Sequence, residues 1–380
     1  MGGSSFGTNF KITTFGESHG AGIGVVIDGC PAGIPLSVNA IQLYLDRRKP
    51  GNNPFSTPRK ESDTVEILSG VFDGKTTGTP IALLIRNENQ HSSDYENLKD
   101  CYRPGHADYT FDAKFGLRDY RGGGRSSGRE TAARVAAGAV ACALLSHFHI
   151  SVCAYARSVF RFQIPCEADY LAETLSTDEI CSLRDESPLA LPDPAVSQQA
   201  SEFLSSLREE ANSCGGLIEC VIHGLPAGLG DPVFDKFDAR LAAAMLSVGA
   251  VKGFEIGSGF SAASLTGLQQ NDVFCSAQKH RVTKLTNRAG GVLGGITDGS
   301  DVLFRVAVKP TPSISGRQQT IRSDGTSCTI EIKGRHDPVI VPRAVVVIES
   351  MAAIVAADAL ISNLGSRLNN LEAVFSEPEL

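Results

Sequence analysis

Two histidines lie in polar, glycine-flanked settings, His19 in Gly16-Glu17-Ser18-His19-Gly20 and His106 in Arg103-Pro104-Gly105-His106-Ala107-Asp108. Arg47, Arg48, Arg118, Arg121, Arg125 and Arg129 lie between and after them, the last three around Gly122-Gly123-Gly124. That set supplies what chemistry on a phosphorylated anion needs. Guanidinium forks hold a carboxylate or phosphate through two parallel hydrogen bonds. Imidazole moves protons near neutral pH, and glycine lets the backbone approach a ligand closely. The run Gly124-Arg125-Ser126-Ser127 feeds a predicted helix, whose first N–H groups and dipole favour an anion. It is neither a Walker loop nor a Gly-x-Gly-x-x-Gly fingerprint. No His-x-x-x-His or comparable pair is present, so no metal site is expected, and His19 and His106 are assigned acid–base work. His91, His147, His149 and His280 lack such settings and read as structural. Near the C-terminus, Lys309-Pro310-Thr311-Pro312-Ser313 offers an ammonium and hydroxyls for phosphate, and Lys333-Gly334-Arg335-His336-Asp337-Pro338 joins a cation, an imidazole and a carboxylate. Both segments also read as ordinary strand-end turns.

These residues need elements to position them. Strands are expected at 22–28, 64–72, 79–86, 216–223, 252–258, 302–308 and 327–333. Two Ala-rich helices, at 129–149 and 343–364, read as a central helical layer, because small residues permit close helix–helix approach. Ser127 with Glu130 forms a capping-box pattern at the start of the first. A further helix follows the N-cap Ser37, with Val38, Ile41 and Leu45 inward, and another spans 234–246, with Phe237, Leu241 and Ala244 or Met245 inward. Strands and helices do not alternate strictly, which favours α+β over a doubly wound sheet. Val26-Ile27-Asp28-Gly29-Cys30-Pro31-Ala32-Gly33-Ile34 returns 195 residues later as Val221-Ile222-His223-Gly224-Leu225-Pro226-Ala227-Gly228-Leu229. The echo points to a duplicated, pseudo-two-fold single domain over residues 1–380; chance recurrence of a strand–turn–helix unit is the bland alternative.

Composition sets the boundaries. With 42% hydrophobic and 20% charged residues, the 380-residue chain is an ordinary globular protein able to bury a large core. A net charge of −7 argues against general nucleic-acid binding. The segment 160–215 holds eleven Asp/Glu against three Arg and is expected to be a solvated peripheral insertion, with helical pieces such as 200–211 on the outside. The tail at 372–380 is expected to fray. Ten cysteines stand singly, and Cys30, Cys142 and Cys153 in apolar runs read as core residues of a reduced, cytoplasmic protein. The N-terminus lacks a secretory or myristoylation pattern, and no apolar run reads as long enough to span a bilayer.

Taken in order, Thr14-Phe15-Gly16-Glu17-Ser18-His19-Gly20, Arg103-Pro104-Gly105-His106-Ala107-Asp108, Gly124-Arg125-Ser126-Ser127-Gly128-Arg129-Glu130-Thr131 and Gly334-Arg335-His336-Asp337-Pro338 resemble the chorismate synthase family. The resemblance spans nearly the whole chain. It implies anti-1,4-elimination of phosphate from 5-enolpyruvylshikimate 3-phosphate to give chorismate, with reduced FMN as cofactor and no net redox change. It also implies a β-α-β sandwich, helices between two antiparallel sheet layers, with internal pseudo-symmetry, and a homotetramer. On this resemblance His19 is the acid assisting the departing phosphate, His106 sets the protonation of the reduced flavin, and Asp337 acts with flavin N5 in taking the ring proton. Arg48, Arg103, Arg129 and Arg335, with Ser18 and Ser127, clamp the substrate. Flavin contacts come from Arg125, Ser126, Ser127, Gly249, Ala250, Gly294, Lys309, Pro310, Thr311, Pro312, Ser313 and Arg335. Two positions depart from the family pattern. Pro54 stands where members commonly carry an arginine, whose place Arg59 is the candidate to fill, and Gly249 stands where some carry asparagine. The first departure touches a nicotinamide site, so NADPH is expected only if the chain reduces its own flavin. A flavin-dependent oxidoreductase on a phosphorylated anion is the alternative activity, and a non-catalytic flavin- or anion-binding module the alternative outside enzymes.

Overall fold

Buried side chains spaced two apart build the first sheet: Ile23, Val25 and Ile27 on one strand, Ile81, Leu83 and Ile85 on its neighbour. In the computed structural model, which describes residues 3–51, 54–55, 61–87, 99–165, 170–275, 282–332 and 337–376, this sheet comprises β1 (Ser5–Phe6), β2 (Lys11–Gly16), β3 (Gly22–Asp28), β4 (Val65–Ile67) and β5 (Ile81–Arg86). Their order is β1-β2-β3-β5-β4, with every neighbouring pair antiparallel. A second antiparallel sheet holds β6 (Ser151–Val159), β7 (Phe162–Gln163), β8 (Gly216–His223), β9 (Val251–Ile256) and β10 (Val302–Val308), ordered β9-β10-β8-β6-β7.

Eight helices are used below: α1 (Val38–Arg48), α2 (Asp108–Phe115), α3 (Thr131–Ser146), α4 (Thr177–Glu186), α5 (Pro194–Glu209), α6 (Phe237–Leu246), α7 (Val341–Ser362) and α8 (Leu368–Phe375). Helix α3 packs on β2, β3 and β5 and touches β6; α7 runs along α3 and packs on β6 and β8. Helix α1 lies beside both, and α6 lies beside α7. The closest approach is at Gly138, where a Cβ would fall 2.2 Å from Ser350 Cβ. The α+β class with antiparallel sheets is thus as expected.

Several elements differ from the sequence reading, each for a local reason. Strand β6, absent from the predicted set, is buried on both faces and so lacks alternation. The 64–72 strand breaks in two, because Gly70 at φ +80° turns the chain against Ile81. Helix α3 starts at Thr131: Ser127 caps a single 3-10 turn by accepting from Arg129 N, while the Glu130 carboxylate takes Thr14 Oγ1 and Arg134 in place of a capping box. Val38 is exposed rather than inward, whereas Ile41 and Leu45 are buried. Within the acidic segment, Ile180, Leu189, Leu191, Ala200 and Leu204 are fully buried, and Arg184 reaches Glu349 of α7 at 3.0 Å. It carries core contacts. Residues after Leu371 continue α8 to Phe375, and 377–380 lie outside the described residues. Contrary to the reading of the apolar runs, residues 341–366 are long and apolar enough to cross a membrane, but α7 is a core helix with 83% of its most apolar stretch buried.

The repeated Gly-x-Pro-Ala-Gly turns are pinned alike. Thr76 Oγ1 donates to Pro31 O at 2.7 Å and accepts from Ile34 N, while Thr76 O accepts from Gly33 N. Thr297 does the same for Pro226, Leu229 and Gly228.

Candidate active site

The end of β2 sets the first loop. Gly16 has φ +87°, and a Cβ there would fall 2.1 Å from Gly22 O, so only glycine permits the turn that delivers Ser18 and His19. Asn87 Nδ2, just after β5, pins that loop by donating to Glu17 O at 2.9 Å and Gly20 O at 2.8 Å. Gly122 supplies the opposite wall: a Cβ would lie 2.5 Å from His19 Cδ2 and 3.0 Å from Ser18 Oγ. Its carbonyl accepts from Arg103 Nη2 at 3.4 Å. Arg103 is itself held by a fork onto Asp108 at the start of α2, at 2.7 and 2.8 Å. Burial alone would raise the Asp108 carboxyl; the Arg103 fork and backbone N–H outweigh it and hold it below the ordinary aspartate value.

The same loop meets the 309–313 segment. His106 Nε2 lies 2.8 Å from Ser313 Oγ, and Lys309 Nζ donates to Gly105 O at 3.0 Å. Gly105, at φ +71°, packs against Pro312. Lys309 N donates to Ala250 O at 2.9 Å, which brings the Gly249-Ala250 segment alongside. Burial, then the neighbouring Lys252, lowers the Lys309 ammonium.

A cage of arginines closes the group from beneath. Arg48, at the end of α1 and 2% exposed, donates from Nη2 to Asp63 at 2.6 Å. Arg129 also binds Asp63, together with Glu61 at 2.7 Å and Asn87 Oδ1 at 3.0 Å. Arg343, in the first turn of α7, donates to Arg48 O at 3.1 Å and to Asp337 Oδ2 at 2.7 Å. Burial opposes ionisation of Asp63, but Arg48 and then Arg129 hold its carboxyl below the ordinary value.

A cavity of about 710 Å³ opens over the glycine-rich turn, between β1–β2 and α2, with Phe6, Ile12, Phe111 and Phe115 among its apolar walls and Arg118 and Arg134 among its cations. Among the described residues, Ser18 Oγ beside Gly122, Arg48 Nε in the arginine cage and Thr311 Oγ1 in the 309–313 loop are buried without a hydrogen-bond partner. Such orphans are rare in folded proteins, and here they sit on residues whose types suit an anion.

Most of the residues singled out in the sequence converge. Ser18, His19, Arg103 and His106 share one wall with the 309–313 loop; Arg48, Arg129 and Asp337 share the arginine cage; Ser126 and Ser127 lie in the glycine-rich turn. Arg125 points into β2, bonding Gly16 O and the Thr14 carbonyl and hydroxyl. Gly294 sits on the hairpin Val292–Leu293/Ile296–Thr297, where the next residue, Gly295, packs against Asp231 and Lys236. Arg335, with Lys333, Gly334, His336, Arg59, His91 and His280, lies outside the described residues. Among the described residues no group of three or more His, Cys, Asp or Glu could hold a metal. Sequence reasoning passed over Asp63, Asn87 and Arg343. Their only signals are an acid directly ahead of a strand, an amide after one, and a basic residue in a predicted first turn.

Comparison with known proteins gives this geometry a family. Residues 10–361 match the family described as Chorismate synthase. The chain is 55% identical to the chorismate synthase of Lachnoclostridium phytofermentans over 99% of this chain and 100% of the relative. It is 56% identical to that of Agathobacter rectalis over 98% of each. A solved structure titled as a crystal structure of chorismate synthase superposes with a TM-score of 0.74 at 34% identity, covering 96% of this chain and 95% of that one. The chain belongs to the chorismate synthase family, carbon–oxygen lyases that expel phosphate from 5-enolpyruvylshikimate 3-phosphate to leave chorismate.

Proposed function

We propose that the cleft walled by His19, Arg103, Gly122 and the arginine cage performs this elimination, with reduced FMN held against the 309–313 loop. The observation that carries the reading is the convergence on one wall of His19, the orphaned Ser18 Oγ and the Arg103 fork, all meeting at Gly122. Arg48, Arg103, Arg129 and Arg335, with Ser18 and Ser127, take the substrate's phosphate and carboxylates. Negative charge grows on the departing phosphate, and fixed guanidinium groups stabilise it without reorganising. His19 gives that phosphate its proton, and the Asp337 carboxylate, oriented by Arg343, receives the ring proton.

The residues present fit a flavin. Thr311 Oγ1 is a buried hydroxyl without a hydrogen-bond partner among the described residues, and Ser313 and Lys309 stand beside His106. Arg125, Ser126, Ser127, Gly249, Ala250, Gly294 and the 309–313 loop would hold it. When bound, reduced FMN lends electron density to the developing allylic centre of an anti-1,4-elimination, which is poorly concerted by itself. His106, bonded through Nε2 to Ser313 Oγ, holds or releases a proton beside that loop. Pro54, in place of the family's arginine, favours a flavin supplied already reduced over reduction by NADPH.

The β-α-β sandwich and its duplicated halves go with this reading. Their support is the matched threonine-pinned turns and a second echo around them, Val71-Phe72-Asp73-Gly74-Lys75-Thr76-Thr77-Gly78 against Val292-Leu293-Gly294-Gly295-Ile296-Thr297-Asp298-Gly299. A cytoplasmic homotetramer is supported by resemblance and by the exposed apolar face of α8, with Leu368, Val374 and Phe375. An anaerobic assay with 5-enolpyruvylshikimate 3-phosphate and chemically reduced FMN tests the reaction. Phosphate release matching chorismate absorbance, over many turnovers per flavin, is the expected result. Stoichiometric flavin oxidation would instead establish the oxidoreductase reading.

A further inference from the structure

Outside the charged cleft, two thiols face each other across functional segments. Cys101 Sγ and Cys328 Sγ are 3.7 Å apart, and both are free. Cys101 is two residues ahead of Arg103, and Cys328 lies on the hairpin Gln318–Ile321/Ser327–Ile330, which leads toward Asp337. The hairpin meets the Arg103 segment through three backbone or side-chain contacts: Tyr102 N to Ile321 O at 3.1 Å, Ser323 N to Asp100 O at 2.8 Å, and Thr320 Oγ1 to Tyr102 O. Its apolar packing is a separate small cluster of Cys101, Ile330 and Ile332 with Cys328 against it, apart from the main core. Cys101 is buried while Cys328 is partly exposed, so an oxidant reaches Cys328 first.

We propose that Cys101 and Cys328 form a reversible redox pair that switches off the site by displacing Arg103. The oxidant is hydrogen peroxide. The Cys328 thiolate attacks one peroxide oxygen, giving a sulfenic acid and hydroxide. The Cys101 sulfur then attacks the Cys328 sulfur and expels its oxygen as water. In sum two thiols lose two electrons and two protons, and peroxide becomes two waters. Closing the bond draws the sulfurs together by about 1.7 Å, since a disulfide is about 2.05 Å long. Arg103 is tied to Asp108 by its fork and its own N–H, so a pull on its backbone shifts the guanidinium from its setting. A misplacement of about 1 Å is enough to lower catalysis by about 10²-fold. Disulfides in reduced compartments are characteristically of this transient, sensing kind. The pair would respond to the same oxidants that consume a reduced flavin.

The effect on turnover rests on the role proposed for Arg103; the disulfide itself does not. The test treats the full-length protein with hydrogen peroxide, removes excess with catalase, and maps peptides without reductant. The kcat/KM is then measured anaerobically with photoreduced FMN, before and after dithiothreitol. A Cys101–Cys328 cross-linked peptide, a 10- to 100-fold lower kcat/KM, recovery with dithiothreitol and insensitivity of Cys328→Ser establish the switch. Cys328→Ala serves if the serine variant misfolds. The pair of buried Cys153 and partly buried Cys181, 2.9 Å apart, is mapped separately in the same digest. No 101–328 cross-link, an unchanged kcat/KM once it has formed, or an equal loss in Cys328→Ser overturns the proposal. Arg103→Lys with normal kcat/KM would overturn the Arg103 reading alone, because the cross-link is still reported by its own peptide.

Discussion

Asp63 is the residue on which the arginine cage turns. It is fully buried, takes Arg48 and Arg129 together, and sits at φ +48°, an uncommon backbone setting for a non-glycine. Arg48→Ala therefore does more than weaken substrate binding. Breaking a buried pair from one side costs about 3–5 kcal/mol, so we expect a lower urea midpoint as well as a raised KM; an unchanged midpoint would show the cage to be solvated. Asp63→Asn should produce the same destabilisation from the other partner. His106→Ala should lower kcat by about 10²–10⁴-fold, the usual range for general acid–base catalysis, while FMN affinity by fluorescence titration changes little. Equal losses in both would make His106 a binding residue. The histidines and arginines were legible in the sequence because glycine and proline neighbours mark them as loop residues poised for close approach. Asp63 and Asn87 were not. An acidic or amide side chain looks the same in sequence whether it faces water or a buried guanidinium, and only the strand register decides which.

At the scale of elements, legibility followed exposure. Strands β3, β8 and β10 lie on their predicted residues, and α7 begins two residues early. Strand β6 went unseen because it is covered on both faces, by α3 and α7 on one and the acidic segment on the other, and because it carries Tyr155 and Arg157 within the buried run. Glu219 accepts from Tyr155 and Arg305 and forms an ion pair with Arg157 at 3.6 Å, while Arg157 Nε and Nη1 are buried without a hydrogen-bond partner among the described residues. The α3–α7 crossing is the tightest element contact relevant to the site, because α3 follows Arg129 directly and α7 carries Arg343. Gly138→Ala should push the helices apart and destabilise the fold by about 1–3 kcal/mol, as overpacking does. Denaturant unfolding measures this, and full stability would mean that Ser350 moves aside freely.

The whole molecule is held by acids buried in α7. Glu349 takes Arg47 from α1, Arg184 from α4 and Ala154 N from β6, while Asp358 takes Arg240 from α6 and the amides of Thr8, Asn9 and Phe10. Burial opposes ionisation of Glu349, yet Arg47, Arg184 and the Ala154 amide hold its carboxyl below the ordinary 4.5. The folded value is depressed, so its stabilisation is complete above pH 4.5 and is lost as pH falls through the lower, folded value. Circular dichroism against pH should show unfolding that begins below pH 4.5, with a shallower slope in Glu349→Gln; an identical slope would remove Glu349 from the linkage. Removing α4 and α5 deletes Arg184 and uncovers the second sheet, so that truncation should fail to fold. The acidic composition of the segment had concealed this, because most of its described acidic side chains are exposed while Ile180, Leu189, Leu191, Ala200 and Leu204 are buried. One wall of the cavity over the glycine-rich turn is anchored far more lightly. Strand β1 is two residues long, lies at the sheet edge, and pairs with β2 alone. Ser4, Ser5 and Phe6 nevertheless line the cavity. Their amides thus form a label-free gauge of occupancy: deuterium uptake at the N-terminal edge should slow when a ligand fills that cavity and hold constant when it binds elsewhere.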